Sequence, residues 1–108
     1  MEFRQFERLR IYTGEYDRIE GAAAYDFIVK AAHARGLLGA TVFRGSMGFG
    51  GHSEIHTAKI LRLSEDLPIV VEIVDEPAKI ELFCNEVLVK MAKGLVTRDP
   101  VSAAALTP

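Results

Sequence analysis

Pro68-Ile-Val-Val-Glu-Ile-Val74 is apolar on both of its faces. At a strand's period of two, Ile69, Val71 and Ile73 point one way and Val70 and Val74 the other, with Glu72 the sole charge. A strand of this kind is covered on both sides. Downstream, Asp75 reads as an N-cap, Pro77 fits the first turn of a helix, and Ile80, Phe83, Cys84, Val87, Leu88 and Met91 form its apolar stripe. Gly94 closes that helix, Leu95-Val-Thr-Arg98 makes a short last strand, and Pro100 is expected to end it.

The same grammar runs upstream. Residues 8–14 alternate, with Leu9, Ile11 and Thr13 on one side and Arg8, Arg10 and Tyr12 on the other. Gly14 to Asp17 is turn chemistry. An alanine-rich helix follows from about Ala22 to Arg35, its apolar face made of Ala24, Phe27, Ile28, Ala31 and Ala32, with Gly36 at its end. Residues 40–44 read as a second strand. Glycines at 45, 48, 50 and 51 then exclude any regular element, and a polar stretch with the alternating run Lys59 to Leu63 leads back to Pro68. The order is β-α-β, long loop, β-α-β. That is an α+β, ferredoxin-like βαββαβ two-layer sandwich with a long loop between the second and third strands.

A chain of 108 residues accommodates one domain and one core, here 1–108 with the core at about 7–98 and a frayed tail at 99–108. Apolar residues at 49% and charged residues at 26% are a globular composition. A net charge of −2 lacks the basic excess of general nucleic-acid binders. Cys84 is the single cysteine, so neither an intrachain disulfide nor a multi-cysteine zinc site can form. No apolar run reaches the roughly 18 residues of a membrane span, and residues 1–5 lack the apolar core of a signal peptide. A cytoplasmic location without direct membrane insertion is expected.

Two helices cover one face of a four-stranded sheet. Covering the other face of the strand at 69–74 points to a homo-oligomer packing sheet on sheet; the alternative is a monomer whose second face is apolar and partly wet.

The glycine run offers a backbone cradle for an anion, or equally a strand bending out of its sheet. Arg44, Gly45, Ser46, Gly48 and Gly50, with His52, His56, Lys59 and Arg62 beyond them, are the candidate ligand-binding residues. His52 and His56, four apart, are also candidate ligands for a divalent metal, although a protein zinc site ordinarily takes three or four. Enzyme motifs are weak. Ser46 in Gly-Ser-Met-Gly is no nucleophile elbow, nothing fixes a working pair among Glu65, Asp66 and Glu72, and Cys84 belongs to an apolar stripe. No catalytic residue is assigned.

Gly39-Ala-Thr-Val-Phe-Arg-Gly-Ser-Met-Gly-Phe-Gly50, the block from His56 to Val74, and Leu9-Arg-Ile-Tyr-Thr-Gly14 together resemble the PII-like family catalogued as domain of unknown function 190, over about residues 7–98. The resemblance implies a homotrimer, a ligand site between subunits that takes a small anion such as an adenine nucleotide, and a long loop that docks on a partner. A membrane transporter or a channel of the fluoride type is the class of partner it suggests. One junction departs from the PII pattern: Met91-Ala-Lys-Gly-Leu-Val96 stands where PII proteins carry a Gly-Asp-Gly-Lys phosphate turn.

Overall fold

The computed structural model describes residues 1–50, the backbone of 56–57, and residues 66–106. Strand β1 is Arg4–Gly14, the short β2 Arg18–Ile19 and β3 Ala22–Ala23 form a hairpin, and helix α1 is Ala24–Ala34. Strand β4 is Thr41–Arg44, β5 Met47–Gly48, β6 His56–Thr57, β7 Pro68–Asp75, α2 Pro77–Glu86 and β8 Leu95–Ala103. A single 3-10 turn, Leu88–Lys90, follows α2. The main sheet has the order β4-β7-β1-β8 with every neighbour antiparallel. This is the ferredoxin-like arrangement expected from the element order.

Register explains the core. Leu9 pairs with Ile73, Ile11 with Val71 and Thr13 with Ile69, so these six side chains share one face. They pack with Ala24, Ile28 and Ala32 of α1 and with Ile80 and Phe83 of α2, all but Thr13 within one apolar cluster. Helix α1 ends in a Schellman motif: Gly36 has φ +71°, its N–H donates to the His33 carbonyl, and the Leu37 N–H donates to Ala32. Glu20 and Gly21, both at positive φ, turn the β2–β3 hairpin in the manner of a type I′ turn.

The opposite sheet face is not simply apolar. Across its middle, Arg10 pairs with Glu72 at 3.2 Å and Arg8 with Asp99 at 2.6 Å. Apolar side chains flank this row: Val74 on one side, and Val70, Phe43, Tyr12 and Leu95 on the other. Val70 and Val74 are half-buried, whereas Phe43 is 51% and Leu95 61% exposed.

Five expectations need correction. Helix α2 stops at Glu86 with a separate 3-10 turn at Leu88–Lys90, so Met91 and Gly94 lie beyond it and Gly94 does not close it. Strand β8 runs through Pro100 to Ala103, so the segment at 99–103 is sheet and not a frayed tail. It is an edge strand, where a proline can direct its missing N–H away from the ladder. Asp75 is not the N-cap of α2; Glu76 occupies that position and makes no side-chain cap. Asp75 instead ends β7 with 1% exposure, and its carboxylate accepts the N–H of Leu38 at 2.9 Å and of Glu76 at 2.7 Å. Within the glycine-rich stretch, Met47–Gly48 does form a two-residue ladder with His56–Thr57. Helix α1 starts at Ala24, two residues later than expected, because Ala22 and Ala23 pair with Ile19 and Arg18.

Cys84 sits half-buried against the core cluster. Burial pushes its thiol above the ordinary value; Arg98 pulls it down, while Glu81 and Glu7 add to the rise. A thiol reagent at pH 7 is therefore expected to label native protein at least tenfold more slowly than denatured protein, with the native rate climbing above pH 9. Native labelling as fast as that of the denatured chain would refute this placement.

Candidate functional site

Antiparallel pairing gathers four strand ends at one end of the sheet: Gly14 lies opposite Pro68, Tyr12 opposite Leu95, and Arg44 opposite Ile69. A cleft of about 490 Å³ opens there. The Tyr12–Gly14 strand end with Asp17, the loop stretch Gly48–Gly50, Asp66 with the start of β7 at Pro68–Val70, and the Lys93–Leu95 turn line it. Most of this wall is apolar, with Tyr12, Phe49, Ile69, Val70 and Leu95 contributing. Among the described lining residues the charged groups are Asp17, Asp66 and Lys93.

The two carboxylates are held by their surroundings. Asp17 closes the turn after β1. Its Oδ2 accepts the Thr13 hydroxyl at 2.7 Å and the Gly14 N–H at 2.9 Å, and its Oδ1 lies 3.3 Å from the Lys93 ammonium. Its carbonyl accepts the first N–H of α1, from Ala24, at 2.7 Å. Burial pushes the Asp17 carboxyl up, but the Gly14 N–H, the Thr13 hydroxyl and Lys93 together outweigh it and hold the group below the usual carboxylate range. Asp66 accepts the Tyr16 N–H at 2.8 Å and lies over Gly14, where an added Cβ would stand 2.9 Å from its Oδ1.

The glycines divide by role. A Cβ on Gly45 would meet the Pro68 ring at 2.7 Å and one on Gly48 at 3.1 Å, and the Gly45 N–H donates to the Pro68 carbonyl at 2.7 Å. Both allow the loop base to close on the first residue of β7. Gly94, at φ +129°, turns the chain into β8 directly against the Tyr12 carbonyl.

Of the residues singled out in the sequence, Gly48 and Gly50 line the cleft. Arg44 does not; its guanidinium pairs with Glu15 at 2.8 Å. Gly45 is structural in the sense just given, and Ser46 is exposed. His52, Lys59, Arg62 and the side chain of His56 lie outside the described residues. Among the described residues no group of three or more His, Cys, Asp or Glu side chains could hold a metal ion. Sequence reading missed Thr13, Asp17, Asp66 and the Lys93–Gly94 turn as site residues. The signal available was the strand order itself, which brings the ends of β1, β4, β7 and β8 together.

The fold is that of the PII-like proteins. Two solved structures of CPII from Thiomonas intermedia K12, a nitrogen regulatory PII-like protein, superpose with TM-scores of 0.65 and 0.68 at 16% and 12% identity, each comparison covering 94% of this chain and 91% of CPII. One is of CPII bound to ADP and bicarbonate, the other of CPII bound to ADP, AMP and bicarbonate. The family described as Uncharacterized ACR, domain of unknown function 190, matches residues 6–103, and the chain belongs to it. A UPF0166 protein of Aquifex aeolicus is 43% identical over 91% of this chain and 92% of its own length. A UPF0166 protein of Methanocaldococcus jannaschii is 40% identical over 77% and 72%. No helix among the described residues is long and apolar enough to cross a membrane.

Proposed function

We propose that this chain is a PII-like regulator that binds a small anionic ligand, of the adenine-nucleotide class, in the cleft at the sheet end. The observation that carries this reading is the convergence of the Gly48–Gly50 loop with the Lys93–Gly94 turn on one mostly apolar cleft of about 490 Å³. Such a volume suits a nucleotide, the apolar wall suits a planar base, and Lys93 supplies a cation for its phosphates. The ADP in CPII, a protein of the same fold, supports the ligand class. The Gly-Asp-Gly-Lys turn of PII is replaced, but a lysine and a positive-φ glycine persist at the same junction as Lys93 and Gly94.

In this reading three copies pack through the open sheet face. Arg8, Arg10, Glu72 and Asp99 there already form ion pairs, two positive with two negative, so the face can be covered without stranding a net charge. Neighbouring subunits complete the cleft. The segment between β4 and β7 starts at the cleft's rim and answers the ligand by docking on a cytoplasmic partner domain, with a transporter or fluoride-type channel as the class the family resemblance suggests. The protein is then a binding module and not an enzyme.

Scanning fluorimetry against ADP, AMP, ATP, bicarbonate and divalent metals tests the ligand class. A nucleotide at a hundred times its Kd stabilises the native state by about 2.7 kcal/mol, a rise of several degrees. A response to zinc or another divalent ion with none to any nucleotide would overturn this reading in favour of a metal-responsive protein using His52 and His56.

A further inference from the structure

We propose that Asp17 is an internal competitor for Lys93 and thereby sets the affinity of the cleft for phosphate-bearing ligands. The inference rests on the nucleotide reading of the same cleft. Among the described residues that line this cleft Lys93 is the cation, and its ammonium stands 3.3 Å from Asp17 Oδ1. The two partners are not equally mobile. The Asp17 side chain is 13% exposed and anchored by Thr13 and Gly14, whereas that of Lys93 is 51% exposed on a flexible stem. A ligand phosphate that takes the ammonium must draw it from a carboxylate that stays in place.

The same carboxylate then faces the ligand. Among the described lining residues Asp17 and Asp66 both face the cleft beside the Lys93 ammonium, so two carboxylates oppose an arriving anion. A ligand phosphate gains the Lys93 ammonium only at the expense of its contact with Asp17. Asp17 also forms a wall shared with a second cavity of about 200 Å³, lined by Arg18, Met91 and Lys93 among others. Asp17 sets affinity in this account, acting through Lys93.

Asp17→Asn isolates the charge. The amide oxygen can still accept from Thr13 and Gly14, and the backbone carbonyl still holds the first turn of α1, so only the attraction for Lys93 and the repulsion of the ligand are lost. ADP binding, measured by calorimetry at low salt, is expected to tighten on the order of tenfold in D17N, the gain shrinking in 0.5 M salt. In a Lys93→Met background the same substitution should gain about twofold or less. A readout on wild-type protein stands independently of folding of the variant: ADP should raise the titration midpoint of the Asp17 carboxyl carbon resonance as Lys93 leaves it. Equal or weaker ADP binding by D17N, or an Asp17 midpoint that ADP leaves unchanged, overturns the inference while the nucleotide reading stands. If neither wild type nor D17N binds ADP, both fall together.

Discussion

Asp75→Ala is expected to lower the thermal midpoint by about 10–20 °C, corresponding to a loss of about 2–4 kcal/mol for a domain of this size. The carboxylate is 1% exposed and accepts two backbone N–H groups, from Leu38 and Glu76. Alanine leaves both donors short of an acceptor in a place where water has little access, and each unsatisfied group costs about 1–3 kcal/mol. Leu38 lies between α1 and β4, so the interaction ties that connection to the junction of β7 and α2. Asp75→Asn keeps one carbonyl-type acceptor and should lose about half as much. Chemical denaturation at fixed protein concentration measures this directly. A loss under about 0.5 kcal/mol for the alanine variant would show that the two N–H groups find other acceptors, and that Asp75 is dispensable to the fold.

Asp75 also shows where the sequence is ambiguous. An aspartate between a strand and a helix satisfies the N-cap pattern. A carboxylate turned back to a neighbouring loop has the same local sequence. Only the proximity of Leu38, 37 positions away, decides between them. Pro100 carries a similar lesson. Proline excludes a central strand, yet β8 is an edge, and that fact belongs to the strand order, not to the residue. By contrast, the alternation of Leu9, Ile11 and Thr13 and the glycine at 36 needed no tertiary information. Their pattern is repeated and local, and each step of it agrees with the next.

The candidate site was less legible for a physical reason. Glycine density marked the loop but could not distinguish glycines that face a ligand from glycines that admit a neighbouring ring. Gly45 and Gly48 both approach Pro68 closely, while no atom of the described residues lies within 4 Å of a Cβ added at Gly50. Arg44, adjacent to the run, promised a cation for an anion site, yet in β4 its side chain reaches Glu15. Asp17 and Asp66 read as turn and loop residues, and they are. Their second role arises because register places Gly14 opposite Pro68, which brings two turns to one cleft. The Gly-Asp-Gly-Lys pattern does not single out Lys93 and Gly94 because the spacing differs, although a lysine and a positive-φ glycine remain.

Gly94→Ala is expected to destabilise the protein by about 2–4 kcal/mol and to weaken ADP binding more than tenfold. Two effects combine at this position. The backbone stands at φ +129°, a region that side chains with a Cβ rarely adopt, at a cost of about 1–3 kcal/mol. An added Cβ would also stand 2.8 Å from the Tyr12 carbonyl oxygen and 2.7 Å from the Met91 methyl. The methionine end can swing aside. The carbonyl cannot, because Tyr12 lies in a strand paired on both sides, with Val70 and with Leu95. The turn must therefore retreat from the sheet, carrying Lys93 away from Asp17 and opening the cleft floor. Gly50→Ala is the matched comparison: no atom of the described residues lies within 4 Å of its added Cβ and its φ is not left-handed, so stability should change by about 0.5 kcal/mol or less. Urea unfolding of the two variants, with calorimetric titration of ADP into each, separates the effects. Equal stability for Gly94→Ala and wild type would mean that the turn adopts another backbone path. Lost stability with unchanged ADP affinity would place the ligand's phosphates away from Lys93.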